Sequence, residues 1–205
     1  MDCKDEKFFE RKSELINEAL DEFSKKGYEN ASLNKILHEA GVSKGAFYYH
    51  FKNKEDLYLY LVGILIEEKK KFFKLKISEE DFDKDFFTLL KKFTDAGMEF
   101  ARQNQKIYNF SQSYLLKERG TKIHDKALKK SGIESNHFFE AIIEDAYKKG
   151  DLRKDLPKDF IQRLIVYFFT HLHEMVEVDN IDGYKESIDN LIEFLKNGLK
   201  GKNEY

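Results

Sequence analysis

The sequence predicts an all-α chain, on three observations. A single proline and no tryptophan in 205 residues leave long stretches without a helix breaker. Lys, Glu, Leu and Ile, which favour helices, are abundant. Apolar residues recur at helical spacing in segment after segment. A hydrophobic content of 41% beside 36% charged residues describes a globular chain and excludes a disordered one.

The first helix is expected from about Lys7 to Lys26, with Ile16, Ala19, Leu20 and Phe23 as its buried stripe and Gly27 as its stop. Tyr28 then packs into a small core. Ser32 caps a second helix, in which Leu33, Ile36, Leu37 and Ala40 follow the i, i+3, i+4, i+7 rule. Gly41 supplies the permissive backbone for a turn, and Ser43 caps a third helix. Val42 and Phe47 occupy the two positions of a hydrophobic staple across that cap. Phe47 and Phe51 share one face, whereas Gly45 and Tyr49 share the opposite one. Lys44, Ala46, Tyr48 and His50 lie on the flanks.

Two short capped helices joined through Gly41 make a helix-turn-helix, although any all-α core can contain such a pair. A recognition helix that is smooth at Gly45 can approach base edges closely. Lys44, Gly45, Ala46 and Tyr49 are therefore candidates for base proximity: Lys44 toward guanine, and Ala46 or the Tyr49 ring toward a thymine methyl. Ser32 and Ser43 offer hydroxyls and backbone N–H groups to phosphates, while His50 either reaches phosphate or packs. The net charge of −2 does not oppose DNA binding, because local charge decides phosphate contact. Between Ser24 and Lys54, six lysines face Glu29 and Glu39, a local balance of +4.

The run Ala40-Gly41-Val42-Ser43-Lys44-Gly45-Ala46-Phe47-Tyr48-Tyr49-His50-Phe51-Lys52-Asn53-Lys54-Glu55, with Gly27-Tyr28 and Ser32-Leu33-x-x-Ile36-Leu37 before it and Leu57 after it, resembles the N-terminal domain of the TetR family of transcriptional regulators. The likeness is gapless over about thirty residues and covers roughly the first quarter of the chain. It implies an N-terminal three-helix DNA-binding domain, taken as 1–53, and a larger C-terminal helical ligand-binding and dimerisation domain, 54–205. It also implies phosphate contacts from Tyr48 and Lys54, for which a phenol and an ammonium are chemically suited.

Asn53 caps a long fourth helix that runs through Leu57, Leu61 and Leu65; in the resembled family this helix links the two domains. Ser78 with Glu79-Glu80-Asp81 is expected to start a helix that continues to about Gln103, with Phe82, Phe86, Leu89, Leu90, Phe93 and Phe100 inward. A shorter helix follows from about Lys106 to Glu118, and the stretch from Thr121 to Ile133 gives no clear pattern. Ser135 to Lys149 is helical, and Asp151 to Pro157 forms a loop. Lys158 to Val178 and Tyr184 to Leu199 close the chain, with stripes Phe160-Leu164-Phe168-Leu172-Met175 and Tyr184-Ile188-Leu191-Leu195-Leu199. The resemblance implies that these two helices pair with their mates in a homodimer, which would read a palindromic operator of double-stranded DNA.

The heavy aromatic content of the C-terminal part suggests a pocket for a small apolar or aromatic effector. Its candidate lining is Phe86, Phe93, Phe100, Asn104, Tyr108, Gln112, His137, Phe138, Tyr167 and His171. The same aromatics also suit an ordinary core. Repression relieved by an effector is the expected role; a DNA-binding dimer controlled by a protein partner is the alternative. A metal-dependent enzyme using His171 and Glu174 is a minor alternative, since those two share a helical face but match no familiar zinc spacing. No phosphate-binding loop or nucleophile elbow is present, so no catalytic residue and no cofactor is expected. Cys3 stands alone and excludes an internal disulfide. The longest uncharged apolar run, Leu57 to Ile66, is ten residues, too short for a bilayer, and with no signal-peptide core a cytoplasmic protein is expected.

Overall fold

The computed structural model of the protein describes residues 11–131, 137–175 and 181–201, without the side chains of 131, 137–139, 170, 172–175, 181 and 182. The described residues form an all-α fold. In chain order the helices are α1 (Lys12–Asn30), α2 (Leu33–Glu39), α3 (Lys44–His50) and α4 (Lys54–Lys76), then a 3-10 turn at Glu79–Asp83. They continue with α5 (Phe86–Gln103), α6 (Gln105–Lys117), α7 (Lys122–Ser131), α8 (His137–Lys149), α9 (Lys158–Met175) and α10 (Ile181–Leu199). The chain divides into two compact units, Met1–Lys70 with Gln103–Glu134, and Lys71–Arg102 with Ser135–Tyr205.

The first unit is built on aromatic packing. Phe23, Phe47, Tyr58 and Phe110 are fully buried. The Tyr58 ring meets Phe23, Tyr28 and Phe110 edge-on, with centroids 4.8, 5.2 and 5.3 Å away, so one α4 residue joins α1 to α6. Ile123 and Ala127 bring α7 into the same core. Gly27 interrupts α1 where the sequence predicts a stop; its φ of +72° is a conformation glycine adopts without Cβ strain.

The carbonyls left open by that break are satisfied from α6. The Ser113 hydroxyl donates to the Phe23 carbonyl at 3.2 Å, and the Lys117 ammonium donates to those of Ser24 and Lys25 at 3.0 and 2.9 Å. Beyond the break the Tyr28 N–H donates to the buried Glu118 carboxylate at 2.6 Å. A helix end normally finds its caps in adjacent sequence or in water. Here they come from about ninety residues away.

In the second unit Phe86, Ile143, Leu152, Ile161, Ile165 and Leu195 form the centre of the core. The loop after α8 ties down the end of α10: the Arg153 N–H donates to the Leu199 carbonyl and the Gly201 N–H to the Asp151 carbonyl, each at 2.8 Å. The helix expected from Ser78 is divided. Ser78 and Asp81 close a capping box around the 3-10 turn, Lys84 is extended, and Asp85 receives the N–H groups of Phe87 and Thr88 to start α5. Phe82, expected inward, is 38% exposed as a result. On α9 the buried face is Ile161 and Ile165 rather than Phe160, which is 50% exposed. Most of its apolar residues span about half of the helix circumference, Phe160 near one edge of that arc and Ile161 and Ile165 further in, so periodicity alone does not select the core-facing line. Leu172 and Met175 of the expected stripe, and the stretch to Val178, lie outside the described side chains.

Candidate nucleic-acid interface

The turn before α3 is closed by two backbone bonds. Gly41 N–H donates to the His38 carbonyl at 3.0 Å, and Val42 N–H to that of Leu37 at 2.9 Å. With Gly41 at φ +62°, this is a Schellman closure. Ser43 then caps α3, its hydroxyl accepting from Ala46 N–H at 3.2 Å. Val42 and Phe47 are both buried, as a staple requires. Phe47 also stacks on Phe51 at 5.5 Å. One face of α3 is thereby fixed to the core.

The opposite face is open. Lys44 and Gly45 are exposed, and a Cβ placed at Gly45 would meet nothing within 4 Å. Tyr48 and Tyr49 are 56% and 68% exposed, large for aromatic residues on a short helix. Ala46 and His50 are half-buried; the His50 ring lies edge-on to Tyr49 at 4.8 Å. The helix thus presents a flat start, two phenols and a lysine in one direction, a surface fit for base edges and phosphates.

Ser32 and Lys54 are more heavily engaged than the sequence suggests. The Ser32 hydroxyl accepts from Lys35 N–H at 3.3 Å, while its own N–H donates to the buried Glu22 carboxylate at 3.2 Å. Lys35 closes the set through a 2.7 Å ion pair with Glu22. The hydrogen bond from Lys35 holds the Glu22 carboxyl below its ordinary value, with the Ser32 N–H adding to it and outweighing burial. The Lys54 ammonium donates to the carbonyls of Glu29 and Ala31 at 3.1 and 3.0 Å and lies 4.8 Å from the centre of the Tyr28 ring. It braces the end of α1, leaving one N–H for another acceptor.

Sequence reasoning missed Arg11, Glu22, Lys117 and Glu118, whose partners lie ten to ninety-three residues away. No local pattern marks a side chain that caps a distant backbone.

The candidate effector residues are divided between the two units. Asn104, Tyr108 and Gln112 belong to the first unit, whereas Phe86, Phe93, Phe100, Tyr167 and His171 belong to the second. Asn104 stands at the N-cap of α6, and burial pushes the half-buried Tyr108 phenol up. Phe93 stacks on Phe73, and Phe100 is buried edge-on to Phe72. Tyr167 and His171 stack at 4.2 Å, with His171 Nδ1 2.9 Å from the Tyr167 carbonyl. Phe86 lines a cleft of about 380 Å³ in the second unit, together with Phe82, Leu89, Ile142 and Asp151. The side chains of His137, Phe138 and Glu174, and all of Cys3, lie outside the described residues.

Comparison with known proteins places this geometry. Residues 15–61 match the family model of bacterial regulatory proteins, tetR family. The chain is 40% identical over 65 residues to the uncharacterized HTH-type transcriptional regulator YerO of Bacillus subtilis, a stretch that is 30% of this chain and 22% of that protein. The similarity in sequence therefore spans less than a quarter of that relative's length. In structure the likeness is much longer. A TetR family transcriptional regulator from Chloroflexus aurantiacus superposes with a TM-score of 0.75 at 27% identity, covering 96% of this chain and 98% of that one. CprB from Streptomyces coelicolor, solved in complex with its operator, shares the fold with a TM-score of 0.69 at 20% identity, covering 95% and 91%.

Proposed function

We propose, on the premise that the chain belongs to the TetR family of transcriptional regulators, that it is a cytoplasmic homodimeric repressor of transcription that binds a palindromic operator. The observation that carries this reading is the two-sided α3: Phe47 and Phe51 buried on one side, Lys44, Gly45, Tyr48 and Tyr49 exposed on the other. Lys44, Gly45, Ala46 and Tyr49 face base edges. Tyr48, His50, Lys54 and the caps at Ser32 and Ser43 hold the backbone. CprB, which has the same fold, is known with its operator.

Dimerisation through α9 and α10 is favoured by what those helices leave uncovered. Phe160, Tyr167 and Phe194 are 50%, 55% and 64% exposed. Large apolar side chains gain about 1.5–3 kcal/mol each on full burial, so a second copy of this surface is a stabilising cover. A two-fold dimer then offers two recognition helices to half-sites roughly 34–36 Å apart.

Release is by population shift. A small apolar or aromatic effector that prefers one helical arrangement of the regulatory part lowers operator affinity by its differential affinity for the two states. Phe86, of the predicted lining, has the open volume of its cleft beside it.

The test is selection of bound duplexes from a random pool at about 150 mM salt, where non-specific phosphate binding is weak. A palindrome with half-sites one helical turn apart is the expected product. Recovery of no preferred sequence by a folded protein refutes the reading.

A further inference from the structure

Arg11 is exposed and stands at the N-cap of α1, four residues before the region that matches the family. Its Nη1 donates to the Gly41 carbonyl at 3.0 Å, across thirty residues of sequence. The fit is close. A Cβ at Gly41 would lie 1.9 Å from Arg11 Nη1 and 3.2 Å from Cζ, so the guanidinium occupies the space that any other residue's side chain would need. Gly41 is required for its positive φ, and its lack of a side chain leaves the seat that the guanidinium takes.

That seat lies two residues before Ser43, the cap of α3. A guanidinium carries five N–H donors in a rigid fork. One of Arg11's is taken by the carbonyl, and among the described residues no carboxylate pairs with it. Of the neighbouring cations, Lys35 is neutralised by Glu22, and Lys54 uses two of its three donors on carbonyls. Arg11 is held by an uncharged group, which fixes its direction, and no carboxylate among the described residues neutralises it. An exposed carbonyl can be satisfied by water, so the turn alone gives little reason for so long a cation. A planar, pre-oriented cation at the start of a recognition helix suits a phosphate oxygen.

We propose that Arg11 is a DNA-phosphate contact that braces the turn through Gly41 and seats the start of α1 on the backbone beside α3. This rests on the reading of the chain as a DNA-binding regulator. In a two-fold dimer it adds one phosphate contact per half-site.

The test uses the full-length protein and a duplex obtained by the selection above. Binding of wild type, Arg11→Gln, Arg11→Lys and Lys148→Gln is titrated at several salt concentrations. Gln keeps a donor for the Gly41 carbonyl and removes the charge, while Lys148 is an exposed lysine of α8 that serves as a control for charge loss. Two lost phosphate contacts should lower the slope of log K against log salt by about 1.8, since each contributes ~0.9. Arg11→Gln is expected to show that loss of slope with roughly 10-fold weaker binding near 150 mM salt, while Arg11→Lys and Lys148→Gln keep the wild-type slope. A wild-type slope in Arg11→Gln, or an equal fall in Lys148→Gln, overturns the contact while leaving the regulator reading intact. A wild type that binds no duplex instead refutes the reading on which the contact rests.

Discussion

In the first unit charged side chains bond to the backbone at the end of α1 as well as to one another, as Lys106 does to Asp21 and Lys126 to Glu55; the second unit is rich in ion pairs between side chains. Lys54 and Lys117 each hold two carbonyls, and Glu22 and Glu118 each receive a backbone N–H. In the second unit Lys91 lies 2.7 Å from both Asp95 and Asp189, and Lys185 lies 2.7 Å from Asp189. Glu144 is shared by Lys148 and Lys158, while Arg153 pairs with Asp155 and also donates to the Gly198 carbonyl, and Lys149 donates to that of Phe82. Burial lowers the affinity of Lys91 for its proton, but Asp189 and Asp95 outweigh it and hold the ammonium above its ordinary range.

The difference is physical. A backbone N–H or carbonyl at a helix break is an obligatory partner at one fixed place, and leaving it buried and unpaired is costly. An ion pair between partly exposed side chains is worth about 0–1 kcal/mol and can be exchanged for another without moving the chain. The first arrangement fixes a geometry; the second tolerates change. The family match falls within residues 15–61, in the first unit, whereas the second unit is matched through its fold.

The comparison breaks most readily at Glu118. Replacing it by Ala removes the acceptor of the Tyr28 N–H beside the Gly27 break and should cost about 1–3 kcal/mol in urea denaturation. Glu118→Gln, which keeps an acceptor, should recover most of that loss. Equal destabilisation by the two substitutions would show that the carboxylate charge matters and the cap does not.

A smaller effect is expected at Lys91. Its side chain is 38% exposed, so Lys91→Ala should cost no more than about 1 kcal/mol, and the difference from wild type should shrink at high salt. A larger, salt-independent loss would place the second unit's charges in the same class as the first unit's caps.

Much of the first unit was legible because its signals are local. Ser32, Gly41, Ser43, Val42 and Phe47 each act within five residues, and the turn, both caps and the staple appear where the spacing predicts. The partition of α3 into a buried Phe47/Phe51 face and an open Gly45/Tyr49 face follows from the 100° step alone. The split at Lys84 was legible in principle, since Ser78 and Asp85 are two capping residues in succession, but the apolar spacing runs across both. Arg11, Lys117 and Glu118 could not be read, because their partners are set by tertiary contact. Nor could the core face of α9, where apolar residues on two sides serve both packing and exposure.

The central claim, that the open side of α3 reads base edges through Lys44 and holds the backbone through Tyr48, is tested most directly by anisotropy titration of Lys44→Ala and Tyr48→Phe on selected and scrambled duplexes. Lys44→Ala should lose about 1–3 kcal/mol on the selected duplex and much less on the scrambled one, so that its preference relaxes. Tyr48→Phe should weaken both duplexes alike. An unchanged preference in Lys44→Ala, or a loss of preference confined to Tyr48→Phe, would contradict that assignment of the two roles.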